Sequence, residues 1–227
     1  MSIAPSRYLS DKQLDRLSRI LDITKQMLQE VGAEKLTMRK VAAASGVSPT
    51  TLYNRFGTKD SLISVALVEH FDSRIASHFE QRQYRSAAPL KQLQAMLTLM
   101  AENTIEHPSF TETLTSLHYK SDNESTMTHA LFSRISQELQ IIVEQLQEDG
   151  ELVSWASPQL IATELADKLF SVHAKYSQGQ FSDELLIEHS CFSCFLVIRG
   201  VAVESLHKKV DPMLKKSSRK ILSFDSA

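Results

Sequence analysis

Between Ser48 and Lys59 the chain reads SPTTLYNRFGTK, and four of these side chains, Thr50, Thr51, Tyr53 and Asn54, carry hydroxyl, phenol or amide groups. Such groups donate and accept hydrogen bonds without a fixed charge, which is the chemistry that touches base edges and phosphate oxygens at close range. At about 100° per residue, Thr50 and Asn54 share one side of a helix, flanked by Thr51 and Tyr53. Pro49, Leu52 and Phe56 fall within about 60° of one another and are expected to face inward. A solvated face without a partner usually carries Glu and Lys. This one is short, polar and uncharged, and it points to a nucleic-acid partner.

The elements that must hold this face are legible from their ends. Ser10 and Gln13 have the spacing of a capping box, and Leu14, Leu17, Leu21 and Leu28 then recur at helical period to about Val31, where Gly32 closes the helix in a left-handed position. Thr37 starts a second helix with Val41, Ala42 and Ser45 on one side, stopped by Gly46 after barely two turns. Ser48 caps a third, with Pro49 at its first position and Gly57 after Phe56 as its stop. A short helix, a tight Gly-Val-Ser turn and a second short helix describe a helix-turn-helix, whose second helix lies in the DNA major groove.

Thr58 opens a fourth helix with Leu62, Ile63, Ala66, Leu67, Phe71, Ile75 and Phe79 on its apolar face to about Gln83, long enough to leave a small domain. After Ser86-Ala-Ala-Pro89 the helical period resumes over 90–106, 108–118 and 125–148, and Ser157-Pro158 and Ser182-Asp-Glu start two more helices. No strand alternation is found, so the expected fold is all-α. The expected domains are a three-helix DNA-binding domain over 10–57, a connecting helix over 58–83, and a larger helical ligand-binding and dimerisation domain over 84–227. The Lys- and Ser-rich end, 208–227, reads as a solvated tail with at most weak nonspecific DNA contact.

Composition sets the outer bounds. With 42% apolar and 23% charged residues and few Gly and Pro, the chain is of ordinary globular, helix-rich type. Its net charge of −2 is unevenly spread: residues 1–60 hold an excess of four basic side chains and residues 61–227 an excess of six acidic ones, so a polyanion belongs at the N-terminal end. The most apolar stretch, Ile187 to Val203, is interrupted by Glu188, His189, Ser190, Ser193 and Arg199 and falls short of a membrane span. With two cysteines and no secretory pattern at the N-terminus, a cytoplasmic location is expected.

The segment ILDITKQMLQEVGAEKLTMRKVAAASGVSPTTLYNRFGTKDSLISVAL, Ile20 to Leu67, resembles the TetR/AcrR family of bacterial transcriptional regulators in its glycine, its Leu-Tyr pair, its Phe-Gly-x-Lys and its flanking apolar positions. About a fifth of the chain carries this likeness strongly; the remainder is similar only in length, helical content and helix order. At matching positions the resemblance implies that Thr37 caps helix two and touches a phosphate, that Arg39 reaches the groove edge, and that Thr50 and Thr51 face bases. Tyr53 and Lys59 would each meet a phosphate, with Ser48 and Pro49 completing the DNA-facing set at the start of the recognition helix. Free amide hydrogens at a helix N-terminus suit an anion, and Lys59 adds a full charge. Asn54 can bond adenine in bidentate fashion or bond a phosphate, and Arg55 can serve DNA or an internal ion pair.

Elsewhere, Met96, Met100, Phe110, Leu114, His118, Tyr119, Trp155, Phe170 and His173 are candidate effector contacts, joined by Tyr176, because adaptable Met and amphipathic aromatics suit a variable ligand cavity. The same stripe also reads as ordinary core. His107, His118, His129 and His173 are scattered over separate helices, and no Ser-His-Asp or Cys-His spacing argues for catalysis. His189, Cys191 and Cys194 lack the second ligand cluster of a structural zinc site and read as core packing, so no cofactor or metal is expected. Phe192, Leu196 and Val203 point one way from the last long helix and Phe195, Ile198 and Ala202 another. A helix buried on two sides needs a second cover, which makes Phe192, Phe195, Leu196, Arg199, Gly200 and Val203 the candidate homodimer interface. The family resemblance likewise implies that the last two long helices pair across a dimer. The combined expectation is a non-enzymatic, homodimeric regulator, a repressor on a palindromic operator released by a small-molecule effector. The alternative is a DNA-binding protein of the same fold answering to a protein partner in nucleoid organisation or cell division.

Overall fold

The computed structural model describes residues 10–119 and 126–224, and among these it is helical without a strand, apart from one isolated bridge between Leu152 and Ala202. Twelve helical segments follow in order: α1 (Asp11–Lys35), α2 (Met38–Ser45), α3 (Pro49–Phe56), α4 (Lys59–Phe71), α5 (Ser77–Phe79), α6 (Arg82–Arg85), α7 (Pro89–Glu106), α8 (Pro108–Tyr119), α9 (Thr126–Glu148), α10 (Pro158–Ser177), α11 (Asp183–Val201) and α12 (Glu204–Phe224). The chain divides into two compact units, 1–70 and 71–227.

In the first unit, the caps expected from sequence are made. The Ser10 amide donates to Gln13 Oε1 at 2.9 Å, and Thr37 Oγ1 accepts from the Lys40 amide at 3.3 Å. Gly32 has φ 74° and ψ 168°, a conformation essentially reserved for glycine, so the regular part of α1 does end there although one more turn runs on to Lys35. Gly46 is left-handed at φ 66°, ψ 35° and turns the chain from α2 into α3. Leu28, Leu36, Val41, Ala42 and Leu52 are buried together as the core of this small unit. Lys25 of α1 bridges Asp22 and Glu69 of α4. Pro49 departs from the expectation that it faces inward: it is exposed, as is most of the first turn of α3. A helical wheel treats every position along a helix alike, whereas α2 covers only the middle of so short a helix, at Leu52.

Helix four is shorter than its apolar pattern implied. After Phe71 a single π turn, Asp72–Ala76, intervenes, and the helix stops at Phe79 rather than Gln83; Arg82–Arg85 is a separate turn. The apolar series survives the change of pitch, with Phe71, Ile75 and Phe79 all buried.

The second unit is a bundle in which α10 packs on α7, α8, α9 and α11, and α11 packs on α7, α10 and α12. Of the region read as a tail, the described residues 208–224 are not loose. They lie in α12, whose buried Leu206, Val210 and Ser217 lie along one side against α11, with lysines such as Lys208, Lys209 and Lys216 exposed. Lysine density on the outer face masked an amphipathic helix whose inner face is sparse but correctly spaced. This helix, with Pro212 inside it, supplies the cover for α11 that was assigned to a second subunit. Phe195 is therefore part of the subunit's own core. Val203 is not in α11 at all: Ala202 is extended at φ −75°, ψ 147°, and Val203 caps the start of α12 by accepting from the Leu206 and His207 amides. The break is held by two backbone bonds, Val153 N–H to Val201 O and Val203 N–H to Glu151 O, both 2.9 Å, which clasp it to the loop before α10.

Candidate functional site

The candidate recognition face is built by local bonds at both ends of α3. Ser48 Oγ accepts from the Thr51 amide at 3.1 Å and lies 2.8 Å from Thr51 Oγ1, so the cap fixes the first turn and engages the Thr51 hydroxyl. Gly57, at φ 73°, closes the helix by donating to Tyr53 O at 2.9 Å. Between these stops Thr50, Tyr53, Asn54 and Arg55 are exposed and Thr51 is half-buried; Tyr53 keeps 52% of its surface open. Ser48 and Pro49 are exposed beside them, and Thr37 and Arg39 are exposed on the neighbouring start of α2. Thr58 Oγ1 accepts from the Ser61 amide and caps α4. Lys59 is half-buried and donates from Nζ to Ala33 O at 3.0 Å. Its ammonium thus satisfies a carbonyl at the end of α1 and keeps two donors for an anion.

Sequence reasoning missed one part of this surface. Gln13, Arg16, Leu17 and Ile20 of α1 line a groove of about 470 Å³ with Thr51, Asn54 and Arg55 of α3. None of Arg16, Arg19, Arg39 and Arg55 has an acidic partner within ion-pair distance among the described residues, whereas in the second unit Arg74, Arg85, Arg134 and Arg199 are paired and Arg82 and Arg219 are not. Arg55 therefore stands free of the internal ion pair that its sequence left open. The α1 contribution was hidden because Arg16 sits 39 positions before Arg55, with no local pattern linking them.

The candidate effector residues part company. Met96, Phe110 and His173 are buried, while Met100, Leu114, Phe170 and Tyr176 are half-buried. The side chains of His118, Tyr119 and His129 lie outside the described residues. Trp155 is 75% exposed in the loop before α10 and so does not line an interior cavity. His173, 6% exposed, meets Thr104: the Thr104 Oγ1 to His173 Nδ1 distance is 2.7 Å, and Thr111 Oγ1 donates to Thr104 Oγ1 at 3.1 Å. The other ring nitrogen, Nε2, is buried without a partner among the described residues. Burial lowers the His173 pKa from its ordinary 6.5 to about 4, keeping the ring neutral near pH 7.

Cys191 and Cys194 are buried, and desolvation pushes their thiols up to about 11 and 12. They offer thiols rather than the thiolates that bind metal or react with oxidants. On the outer side of α11, Leu196 is 53% exposed, Gly200 is exposed and Phe192 is half-buried, while Arg199 Nε donates to Asp211 Oδ1 of α12 at 2.6 Å. No described helix is long and apolar enough to cross a membrane.

Residues 20–66 match the family model described as bacterial regulatory proteins, tetR family. Among curated relatives, the HTH-type transcriptional repressor KstR of Rhodococcus jostii is 29% identical over 70% of this chain and 82% of its own length. The nucleoid occlusion factor SlmA of Photobacterium profundum is 26% identical over 62% of this chain and 74% of its own. Among solved structures, Thermus thermophilus FadR, a TetR-family repressor in complex with lauroyl-CoA, superposes with a TM-score of 0.68 at 19% identity, covering 83% of this chain and 96% of that one, a likeness of fold.

Proposed function

We propose that the chain, whose residues 20–66 match the family model of tetR bacterial regulatory proteins, is a homodimeric repressor whose α3 reads a two-fold symmetric operator and which a small molecule releases. The observation that carries this reading is the exposed, uncharged hydrogen-bonding face of α3 set among four arginines that no acid neutralises. Unpaired guanidinium groups supply the sequence-independent attraction to phosphate, and short polar side chains on the groove-facing helix supply discrimination between bases. In this reading Thr50 and Asn54 face base edges. Arg39, Tyr53, Lys59, Arg16 and Arg55 hold the backbone, and Thr37 and Ser48 present helix N-termini to it. Thr51 contributes from its methyl side, since its hydroxyl is engaged at the cap.

The dimer in this proposal uses the outer face of α11 at Phe192, Leu196 and Gly200, with α12 beside it. Gly200 is helical, and a side chain there would meet nothing within its own subunit, which leaves room for a neighbouring backbone. Release operates through α4, which belongs to the first unit and ends at Phe71, where the chain passes into the second. An effector held in the second unit that favours another setting of α4 weakens operator binding. Linkage requires the operator to weaken effector binding by the same factor, typically about 5- to 150-fold.

Selection of bound sequences from a random duplex library with the purified chain tests the reading. A pseudo-palindrome with half-sites about one helical turn or somewhat more apart is the expected product. An asymmetric product, or none, removes the dimeric operator reading. Chromosomal mapping then separates a local repressor, bound at one or two sites beside its own gene, from a nucleoid-wide binder.

A further inference from the structure

The bonding of the polar triad inside the second unit favours one placement of its protons. Thr111 donates to Thr104 Oγ1, so the Thr104 proton is directed elsewhere, and His173 Nδ1 at 2.7 Å is the acceptor that the structure offers it. The reverse arrangement would send two donors to Thr104 Oγ1 and leave the Thr104 proton without an acceptor. With Nδ1 accepting, the neutral imidazole carries its hydrogen on Nε2. That N–H is buried and unsatisfied, a condition that costs free energy in any folded protein.

The surroundings define what would satisfy it. Thr104, Thr111 and His173 come from α7, α8 and α10, and their sequence neighbours Ala101, Phe110 and Val172 are buried apolar residues. Ala101 and Val172 pack with Leu186 in one cluster. Thr115 spends its hydroxyl on the Thr111 carbonyl at 2.7 Å, and no lysine or arginine bonds any of these side chains among the described residues. A carboxylate would enter this region without a counter-charge, at heavy desolvation cost. Resting on the effector reading above, we infer that the effector is a predominantly apolar, uncharged molecule anchored by one carbonyl or hydroxyl oxygen that accepts a hydrogen bond from His173 Nε2.

The test uses the full-length chain and two rigid bicyclic probes that differ by one carbonyl, tetralone and tetralin. Histidine-nitrogen NMR of the free protein should report the Nε2–H tautomer at His173. Tetralone should bind about tenfold more tightly than tetralin, the worth of one buried hydrogen bond, and should shift the Nε2 resonance. His173→Leu, which removes the polar ring while keeping an apolar side chain, should abolish the preference for tetralone over tetralin. Thr104→Val, which frees the tautomer without touching the probe, should erode the preference, and it decides the matter together with the tautomer should His173→Leu not fold. An Nδ1–H tautomer, equal affinity for the two probes, no tetralone binding at millimolar concentration, or a preference that survives His173→Leu each overturns the inference. The operator reading is scored apart, by library selection on ligand-free protein, so either can fail while the other stands.

Discussion

Protonating His173 should cost the folded protein a definite amount of stability. The residue is buried, with 6% of its surface exposed, and its pKa falls from 6.5 in an unfolded chain to about 4 when folded. Between these values the unfolded state binds more protons than the folded one, so stability rises with pH across this window and is lost as pH falls through it. Each tenfold difference in proton affinity between the two states is worth about 1.36 kcal/mol. The loss from this one group is therefore about 2 kcal/mol on going from neutral pH to about pH 5, and about 3 kcal/mol near pH 4. Because the group is enclosed, solvent screening does not reduce the figure. Urea unfolding midpoints measured across this range for the wild type and for His173→Leu isolate the contribution, since other titrating groups are common to both. The variant should show a pH dependence shallower by about 2 kcal/mol at pH 5. Parallel curves for the two proteins would show that His173 is not enclosed as a neutral ring, and would remove the reason for calling Nε2 a stranded donor.

Asn54→Ala should narrow the gap between cognate and scrambled operators by about 1 to 3 kcal/mol, while Arg39→Ala should weaken all sequences alike and lower the salt slope by about one unit; equal losses on cognate and scrambled DNA for Asn54→Ala would deny it a base contact. Leu196→Glu should give a helical monomer by light scattering, whereas Phe195→Ala should keep the dimer and lose about 3 to 5 kcal/mol of unfolding free energy; a dimeric Leu196→Glu protein would place the interface elsewhere. Gly32→Ala should cost about 1 to 3 kcal/mol through backbone strain alone, because its positive φ disfavours a side chain although no atom obstructs one; a neutral result in thermal melts would mean that α1 can end otherwise.

Residues 10–60 are nearly transparent in the sequence because their structure is punctuated by local chemistry. The Ser10 amide bonds the Gln13 side chain, Thr37 and Ser48 accept from amides three positions on, and Gly32, Gly46 and Gly57 take backbone conformations that other residues resist. Each of these preferences acts within one turn of chain, so the order of residues is enough to fix it. The burial of Leu52 and the exposure of Thr50 and Asn54 followed from helical period alone, yet Pro49 did not, since period describes a face but not how far along the helix the neighbour extends.

Farther along, the decisive facts are non-local. Phe195 and Leu196 are adjacent, equally apolar, and ambiguous on a helix that is apolar nearly all round; the packing of α12 against α11 accompanies one buried and one exposed. That α12 is a helix at all depends on an inner face as thin as Leu206, Val210 and Ser217, whose value appears only when α11 is there to receive it. The extended turn at Ala202 has no Gly or Pro to announce it and is held by the backbone of residues 151–153. The Thr104, Thr111 and His173 triad unites three helices and spans 69 positions. Sequence by itself determined the caps, the stops and the helical period, and through them the exposed polar face of α3, because those interactions close within a few residues. Which apolar face meets another, and which buried donor is left without an acceptor, was decided only when distant helices packed, because burial and pairing belong to the assembled bundle and not to any one segment.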